Sequence, residues 1–247
     1  CGRICTMLGI FLLVKSPDDY ILAAFLQACT PLIAGIFSIV WLRKHYTGLF
    51  KLPSMGEIIN SYKEGWSIFV SSLAVNLYTA TNVVVLGMLT NNVIVGYYSA
   101  ADKLITCVRR GIYAVSDAIY PFISKMMRDD IPKGLQFIKK QLFLYLIVGL
   151  VGCISLFFFS DTIVRLLFGA DYDLTVDVLR ILSFVPLAVA ISTVFGEETM
   201  LPLNMNSAYS RTLVLGAFFS LISIFPLCYL WGAKGVAITM LLTEFLI

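Results

Sequence analysis

Apolar residues along this chain are gathered into long runs that are separated by short polar stretches. A transmembrane helix needs about 20 apolar residues, and most of the runs reach that length. A transmembrane β-strand would instead show about ten residues of alternating hydrophobicity, which is not the pattern here. The sequence therefore predicts an all-α protein, a polytopic bundle of about eight transmembrane segments. The runs cover residues 1–14, 20–42, 66–89, 93–123, 141–159, 174–196, 212–231 and 235–247.

The first and last runs are shorter than one membrane span, and the chain opens at Cys1 rather than at a methionine. We therefore expect both of these helices to be truncated. Between the first two runs, a sharp turn is expected at residues 15–19. Pro186 is expected to kink the run 174–196, because proline lacks the backbone N–H of a regular helix.

Lysine and arginine are distributed unequally between the two sides of the predicted bundle. If the runs alternate in direction, the links after the second, fourth and sixth runs share one side. These links carry ten basic residues, against three on the other side. The side richer in Lys and Arg is cytoplasmic, which places Lys51 and Lys133 inside and Asp18 and Asp171 on the exported side. This assignment requires the run 93–123 to span the membrane, although its charges would make a simple hydropathy window reject it.

Composition supports a membrane protein and excludes several other classes. Hydrophobic residues make up 59% of the chain and charged residues 13%, compared with about 45–50% and 25% in soluble domains. The formal net charge of +3 is too small to indicate nucleic-acid binding. The lone His45 and the lack of a C-x-x-C pair argue against a metal site. No enzyme motif is found, so we expect neither a cofactor nor catalytic activity.

The run 93–123 differs from the others, because its polar residues share one helical face. At about 100° per residue, they fall within an arc of roughly 140°, and the opposite face is apolar. A charge near the bilayer centre costs about 2.5–3.5 kcal/mol on insertion scales, so several charges on one stripe indicate a function. The stripe consists of Ser99, Asp102, Lys103, Thr106, Arg109, Arg110, Tyr113, Ser116, Asp117 and Tyr120.

We interpret this stripe as one wall of a hydrated central cavity lined by cations. Two alternatives stay open: the charges could pair with partners on other helices, or the helix could lie at the interface or in the cytoplasm. Pairs within the helix are excluded, because its candidate partners are seven residues apart. The predicted substrate-binding residues are Arg109, Arg110, Lys103, Asp102, Asp117, Tyr113 and Tyr120, with Asn76 from the run 66–89.

Polar residues on other runs support weaker predictions. Ser72, Asn76 and Thr79 share one face of the third run, where they line the cavity or hydrogen-bond neighbouring helices. Glu197 and Glu198 close the sixth run on its cytoplasmic side, and we expect both of them to be solvated.

The stretch from Gly65 to Lys125 contains several specific short motifs. They are Leu77-Tyr78-Thr79, Leu86-Gly87, VGYYSAADK at 95–103, and Tyr120-Pro121. In these motifs, and in the order of its flanking segments, the chain closely resembles the O-antigen flippases called Wzx. They belong to the multidrug/oligosaccharidyl-lipid/polysaccharide exporter superfamily. The resemblance covers most of the chain.

This resemblance implies a transporter of about twelve helices, arranged as two lobes around a central cavity. Residues 1–42 would be the last two helices of the first lobe, and 43–64 the cytoplasmic link between the lobes. Residues 65–247 would form most of the second lobe. The resemblance also implies a multi-pass protein of the bacterial inner membrane.

The implied substrate is an oligosaccharide linked to undecaprenyl diphosphate, moved from the cytoplasmic to the periplasmic leaflet by alternating access. Cations on the stripe suit the diphosphate, and Tyr113 and Tyr120 are placed to stack on sugars. Carboxylates such as Asp102 or Asp117 could serve ion-coupled antiport, which is suggested for the superfamily. The expected partners are the lipid-linked oligosaccharide, membrane lipids and other polysaccharide-assembly proteins.

Two other functions remain open. A cation-coupled multidrug exporter of the same superfamily would favour acidic and aromatic residues in its cavity over a pair of arginines. A membrane-embedded glycan polymerase or transferase would place large catalytic loops outside the membrane, whereas the longest predicted loops here are short and cytoplasmic.

Overall fold

The structure, a computed structural model, describes residues 6, 9–10, 13, 20–45 and 53–247, and these residues fold into α-helices without a strand. The predicted run 1–14 lies mostly outside the described residues, and the turn 15–19 and Lys51 lie wholly outside them. The helices are α1 Tyr20–His45, α2 Met55–Leu89, α3 Asn92–Asp129, α4 Ile131–Phe168, α5 Asp173–Leu182, α6 Val185–Phe195, α7 Asn206–Trp231 and α8 Ala233–Leu246. A π-helical turn, Gly196–Met200, follows α6.

The chain separates into two compact units, residues 1–59 and 60–247. In the first unit, α1 is exposed along residues 31–45 and places Arg43, Lys44 and His45 in its last turn. Positive charge at the C-terminus of a helix interacts favourably with the helix dipole. The second unit contains the remaining helices and the candidate site.

The predicted helices are confirmed from residue 20 onward, but the predicted polar links between them are too long. Residues 124–140 were expected to form a link, yet α3 and α4 leave only Asp130 between them. The expected link 43–64 likewise contains the start of α2 at Met55. The reason is physical: hydropathy marks only the apolar part of a helix, and these helices continue into polar sequence beyond it.

Short polar side chains fix where these long helices begin. Ser54 and Glu57 form a capping box at α2: the Ser54 amide donates to Glu57 Oε2 at 2.7 Å, and the Glu57 amide donates to Ser54 Oγ at 3.3 Å. These bonds hold the pKa of Glu57 below its usual value. Asn91 accepts from the Ile94 amide at 3.0 Å and so caps α3. Asp130 accepts from the Lys133 amide at 3.2 Å and so caps α4.

Four helical stretches of the described chain are long and apolar enough to cross a membrane. They are Gly65–Leu89, Ile131–Phe168, Asp173–Met200 and Asn206–Trp231. Helix α3 fails this test because of its charges. It nevertheless packs against α4, α5, α6 and α8, so it lies among the apolar helices of the bundle.

Proline and glycine shape the second half of the bundle. Pro186 stands in the first turn of α6, and the residues before it separate α6 from α5, which confirms the predicted break. Gly232 joins α7 to α8 with a φ of 55°, a conformation that glycine adopts at little cost. Gly235 then brings α8 against the backbone of α7, because a Cβ at this position would meet the Leu227 carbonyl.

A smaller cluster of buried apolar residues lies where α3, α4 and α6 meet. The largest cluster in residues 60–247 gathers at one end of the helices. It joins the C-terminal part of α2 to the N-terminal parts of α3 and α8, as shown by buried Leu86, Ile105 and Val236. Polar contacts reinforce this end, where Lys234 Nζ lies 2.7 Å from Asp177 Oδ2. The distribution of basic residues predicts that this is the exported end of the bundle.

Candidate substrate cavity

A cavity of about 660 Å³ lies between the helices on the side away from this core. Helices α2, α3, α6, α7 and α8 and the π turn all contribute to its wall, and most of the lining residues carry a polar group. The lining side chains that carry hydroxyl, amide or charged groups are Ser71, Ser72, Asn76, Tyr78, Arg109, Tyr113, Ser116, Asp117, Tyr120, Ser192, Thr193, Glu197, Tyr209 and Glu244.

The structure divides the eight predicted substrate-binding residues into two groups. Asn76, Arg109, Tyr113, Asp117 and Tyr120 line the cavity together. The remaining three, Lys103, Arg110 and Asp102, do not line it: the two cations are exposed on α3, and Asp102 is half-buried.

Arg109 is paired across helices rather than free. Its Nη2 donates to Glu244 Oε1 of α8 at 3.1 Å, and the two side chains are only 10% and 4% exposed. Tyr78 of α2 donates its hydroxyl to the same oxygen, also at 3.1 Å. For Arg109, the geometry is therefore that of the ion-pair alternative, with a partner on another helix. The contact with Glu244 does not use every donor of Arg109, because the buried Nε of Arg109 has no hydrogen-bond partner.

The charge lining this cavity is acidic overall. Arg109 is its one cation among the described residues, whereas Asp117, Glu197 and Glu244 supply three carboxylates. Glu244 is used by Arg109, and no salt bridge of the described chain involves Asp117 or Glu197. The cation-lined wall that α3 alone suggested is thus not formed within the described chain.

The expectation that Glu197 and Glu198 are solvated is wrong. Glu198 is fully buried, and its Oε1 accepts a hydrogen bond of 2.7 Å from Ser116 Oγ of α3. Glu197 is half-buried and lines the cavity. The helix does not end before these residues, because the π turn carries it onward between α3, α4 and α7. Such π turns often occur at functional sites.

Sequence reasoning also missed Glu244, although a signal was present. It is the single charged residue of the apolar run 235–247. An isolated carboxylate at membrane depth requires a partner or water, and the partner is Arg109.

The polar face of α2 was predicted either to line the cavity or to bond other helices. Ser72 and Asn76 line the cavity. The Asn76 side-chain amide donates to the Ser72 carbonyl at 2.8 Å, and Thr79 Oγ1 donates to the Val75 carbonyl at 2.8 Å. These side chains therefore bond to their own helix, which leaves the remaining groups of Asn76 for a ligand.

Apolar helices of spanning length that enclose a polar cavity define a multi-pass helical membrane protein. More narrowly, the chain belongs to the polysaccharide biosynthesis protein family, whose model matches residues 3–127. This match and the relatives described next confirm the resemblance to the Wzx-like polysaccharide flippases.

Two of the relatives are each named "Putative O-antigen transporter". The protein from Shigella dysenteriae is 32% identical over 237 residues, which is 96% of this chain and 59% of the relative. The protein from Escherichia coli K12 is 31% identical over 238 residues, or 96% of this chain and 57% of the relative. A "Probable low-salt glycan biosynthesis flippase" of Haloferax volcanii is 23% identical over 98% of this chain and 50% of the relative.

The chain thus spans between half and three-fifths of the length of these relatives. The comparison with solved structures finds no match.

Proposed function

We propose that this chain forms part of a flippase that carries lipid-linked polysaccharide repeat units across the bacterial inner membrane. The units would leave the cytoplasmic leaflet attached to undecaprenyl diphosphate and reach the periplasmic leaflet. Membership of the polysaccharide biosynthesis family and the names of the relatives support this proposal. Those names describe transporters and a flippase rather than enzymes, in keeping with a transport role that involves no catalysis.

The observation that carries the proposal is the one-sided arrangement of core and cavity. The cavity lies beside residues 68–78 of α2, which fall mainly in the N-terminal half of its spanning stretch Gly65–Leu89, beside residues 109–120 of α3 and beside the last residues of α8. All three of these stretches are on the side predicted to be cytoplasmic. The largest cluster of buried apolar side chains fills the opposite end, which the distribution of basic residues predicts to be the exported one. A transporter that loads from the cytoplasm and then releases outward requires such a state.

The diphosphate can be assigned to the outer face of α3. Lys103 and Arg110 are seven residues apart, which is about 10 Å along one side of a helix, and both are exposed. Exposed cations at membrane depth do not face lipid, because insertion of charge into hydrocarbon is costly. They therefore face water or another part of the transporter, and their charge suits phosphate oxygens.

A multidrug exporter of the same superfamily is the second candidate, and one observation favours it. Four tyrosines and three carboxylates line the cavity, and such groups suit a site for organic cations.

The two functions separate in a strain that lacks its own O-antigen flippase. The full-length protein should restore surface polysaccharide, measured on gels of cell-surface glycan, and should leave resistance to cationic dyes unchanged. Raised dye resistance without restored polysaccharide, at normal membrane abundance, would contradict the flippase and support the exporter.

A further inference from the structure

Resting on the flippase function, we propose that the cavity holds the sugar part of the substrate and that Asp117 and Glu197 select against acidic sugars. The expected ligand is a repeat unit of neutral or amino sugars. The diphosphate would lie outside the cavity, near Lys103 and Arg110.

The lining of the cavity suits a carbohydrate. Tyr113, Tyr120 and Tyr209 are half-buried in its wall, and aromatic rings pack against the apolar faces of sugars. Serines, a threonine and Asn76 supply hydrogen-bonding groups around them. The volume of about 660 Å³ lies within the range of about 300–1,000 Å³ typical of ligand sites, which is enough for a short oligosaccharide.

The charges of the cavity determine which sugars it admits. Arg109 is compensated by Glu244 at 3.1 Å, so its charge is already used inside the protein. Asp117 and Glu197 have no salt-bridge partner in the described chain. A sugar carboxylate placed beside them would meet like charge in a region of low dielectric. Neutral hydroxyls and ammonium groups would instead donate hydrogen bonds to these carboxylates, whose charge also attracts an ammonium group.

The same charges disfavour binding of the diphosphate inside the cavity. Inside the cavity, a diphosphate would lie among carboxylates and would have to displace Glu244 from Arg109. The buried Nε of Arg109 is unpartnered, but one donor does not neutralise two phosphate charges. On the outer face of α3, Lys103 and Arg110 are both exposed, and no carboxylate pairs with them in the described chain.

The test uses two flippase-null host strains whose lipid-linked repeat units differ in a single sugar. One strain makes a neutral hexose at that position, and the other makes the corresponding uronic acid. The full-length protein is expressed in both strains as wild type and with Asp117→Asn and Glu197→Gln combined. Asp171→Asn is the matched control, because Asp171 is exposed and does not line the cavity. Surface polysaccharide is measured relative to the amount of transporter in the membrane.

We expect the wild type to export the neutral glycan at least about tenfold better than the acidic one, a difference of about 1.4 kcal/mol. The double variant should reduce this ratio about tenfold, and Asp171→Asn should preserve it. Equal export of both glycans by the wild type would overturn the selectivity while leaving the flippase intact. An unchanged ratio in the double variant would remove the role of Asp117 and Glu197. Export of neither glycan by abundant wild-type protein would overturn the flippase function itself.

Discussion

At the residue scale, the two adjacent arginines of α3 have different surroundings. Arg109 is nearly buried and contacts Glu244, whereas Arg110 is exposed and has no salt bridge in the described chain. The sequence placed both on one polar face, because helical periodicity reports direction around the axis. It could not distinguish them, because burial depends on what α8 brings into contact.

Changing Arg109 to alanine should therefore lower the amount of protein in the membrane, whereas changing Arg110 to alanine should lower export. Arg109→Ala leaves Glu244 buried without its partner, which typically costs about 3–5 kcal/mol, and we expect membrane abundance to fall several-fold. Arg110→Ala should insert at normal abundance but export little polysaccharide, and Arg110→Lys should retain more activity because it keeps the charge. Immunoblots of membranes and gels of surface glycan measure the two effects.

A double variant provides the control for Arg109. Changing Arg109 and Glu244 together to alanine removes both charges, so abundance should recover relative to Arg109→Ala alone. Normal abundance of Arg109→Ala would show that the pair adds nothing to folding. Normal export by Arg110→Ala would remove Arg110 from substrate binding.

At the scale of the helices, the sequence predicted which helices are present better than it predicted their lengths. The apolar runs located the helices because a helix that crosses a bilayer needs about 20 apolar residues. Pro186 correctly marked the break between α5 and α6. The boundary at Asn91 was predicted to within one residue, whereas the boundary at Asp130 was missed because Asp130 acts as a cap, and capping depends on local backbone geometry. The π turn was missed because no residue pattern specifies an extra residue in a turn.

The close approach of α7 and α8 gives a prediction at this scale. In Gly235→Ala, the new Cβ would overlap the Leu227 carbonyl oxygen. The helices must then separate, at a cost of about 1–3 kcal/mol. The melting temperature of the purified protein in detergent should fall by about 2–4 °C for each kcal/mol.

Gly152→Ala in α4 is the matched control for this experiment. Nothing lies within 4 Å of a Cβ at Gly152, so the variant should melt at the wild-type temperature or slightly above it, since alanine favours a helix. Equal melting temperatures for the two variants would mean that the Gly235 contact does not limit stability.

At the scale of the whole bundle, the sequence and the structure report different properties of the protein. The distribution of Lys and Arg predicts which side is cytoplasmic, but it says nothing about which end is closed. The packing of residues 60–247 shows the largest buried cluster at one end and the cavity beside it toward the other. Together they predict that the cavity of residues 60–247 lies toward the cytoplasmic side.

Whether α3 crosses can be decided with reporters at its two ends. Its residues run from Asn92 to Asp129, about 57 Å at 1.5 Å per residue, which is ample for a hydrocarbon core of about 30 Å. A reporter inserted at Asn91 should therefore lie on the exported side, and one at Asp130 should lie in the cytoplasm. Alkaline phosphatase, active only after export, and green fluorescent protein, fluorescent only when retained, measure the two sides. Insertion at Asp171, after α4, should again be exported and serves as the internal reference.

If the reporters at Asn91 and Asp130 read the same side, α3 does not span. The cavity between α2, α3 and α8 would then lie outside the bilayer and could not carry a glycan across it.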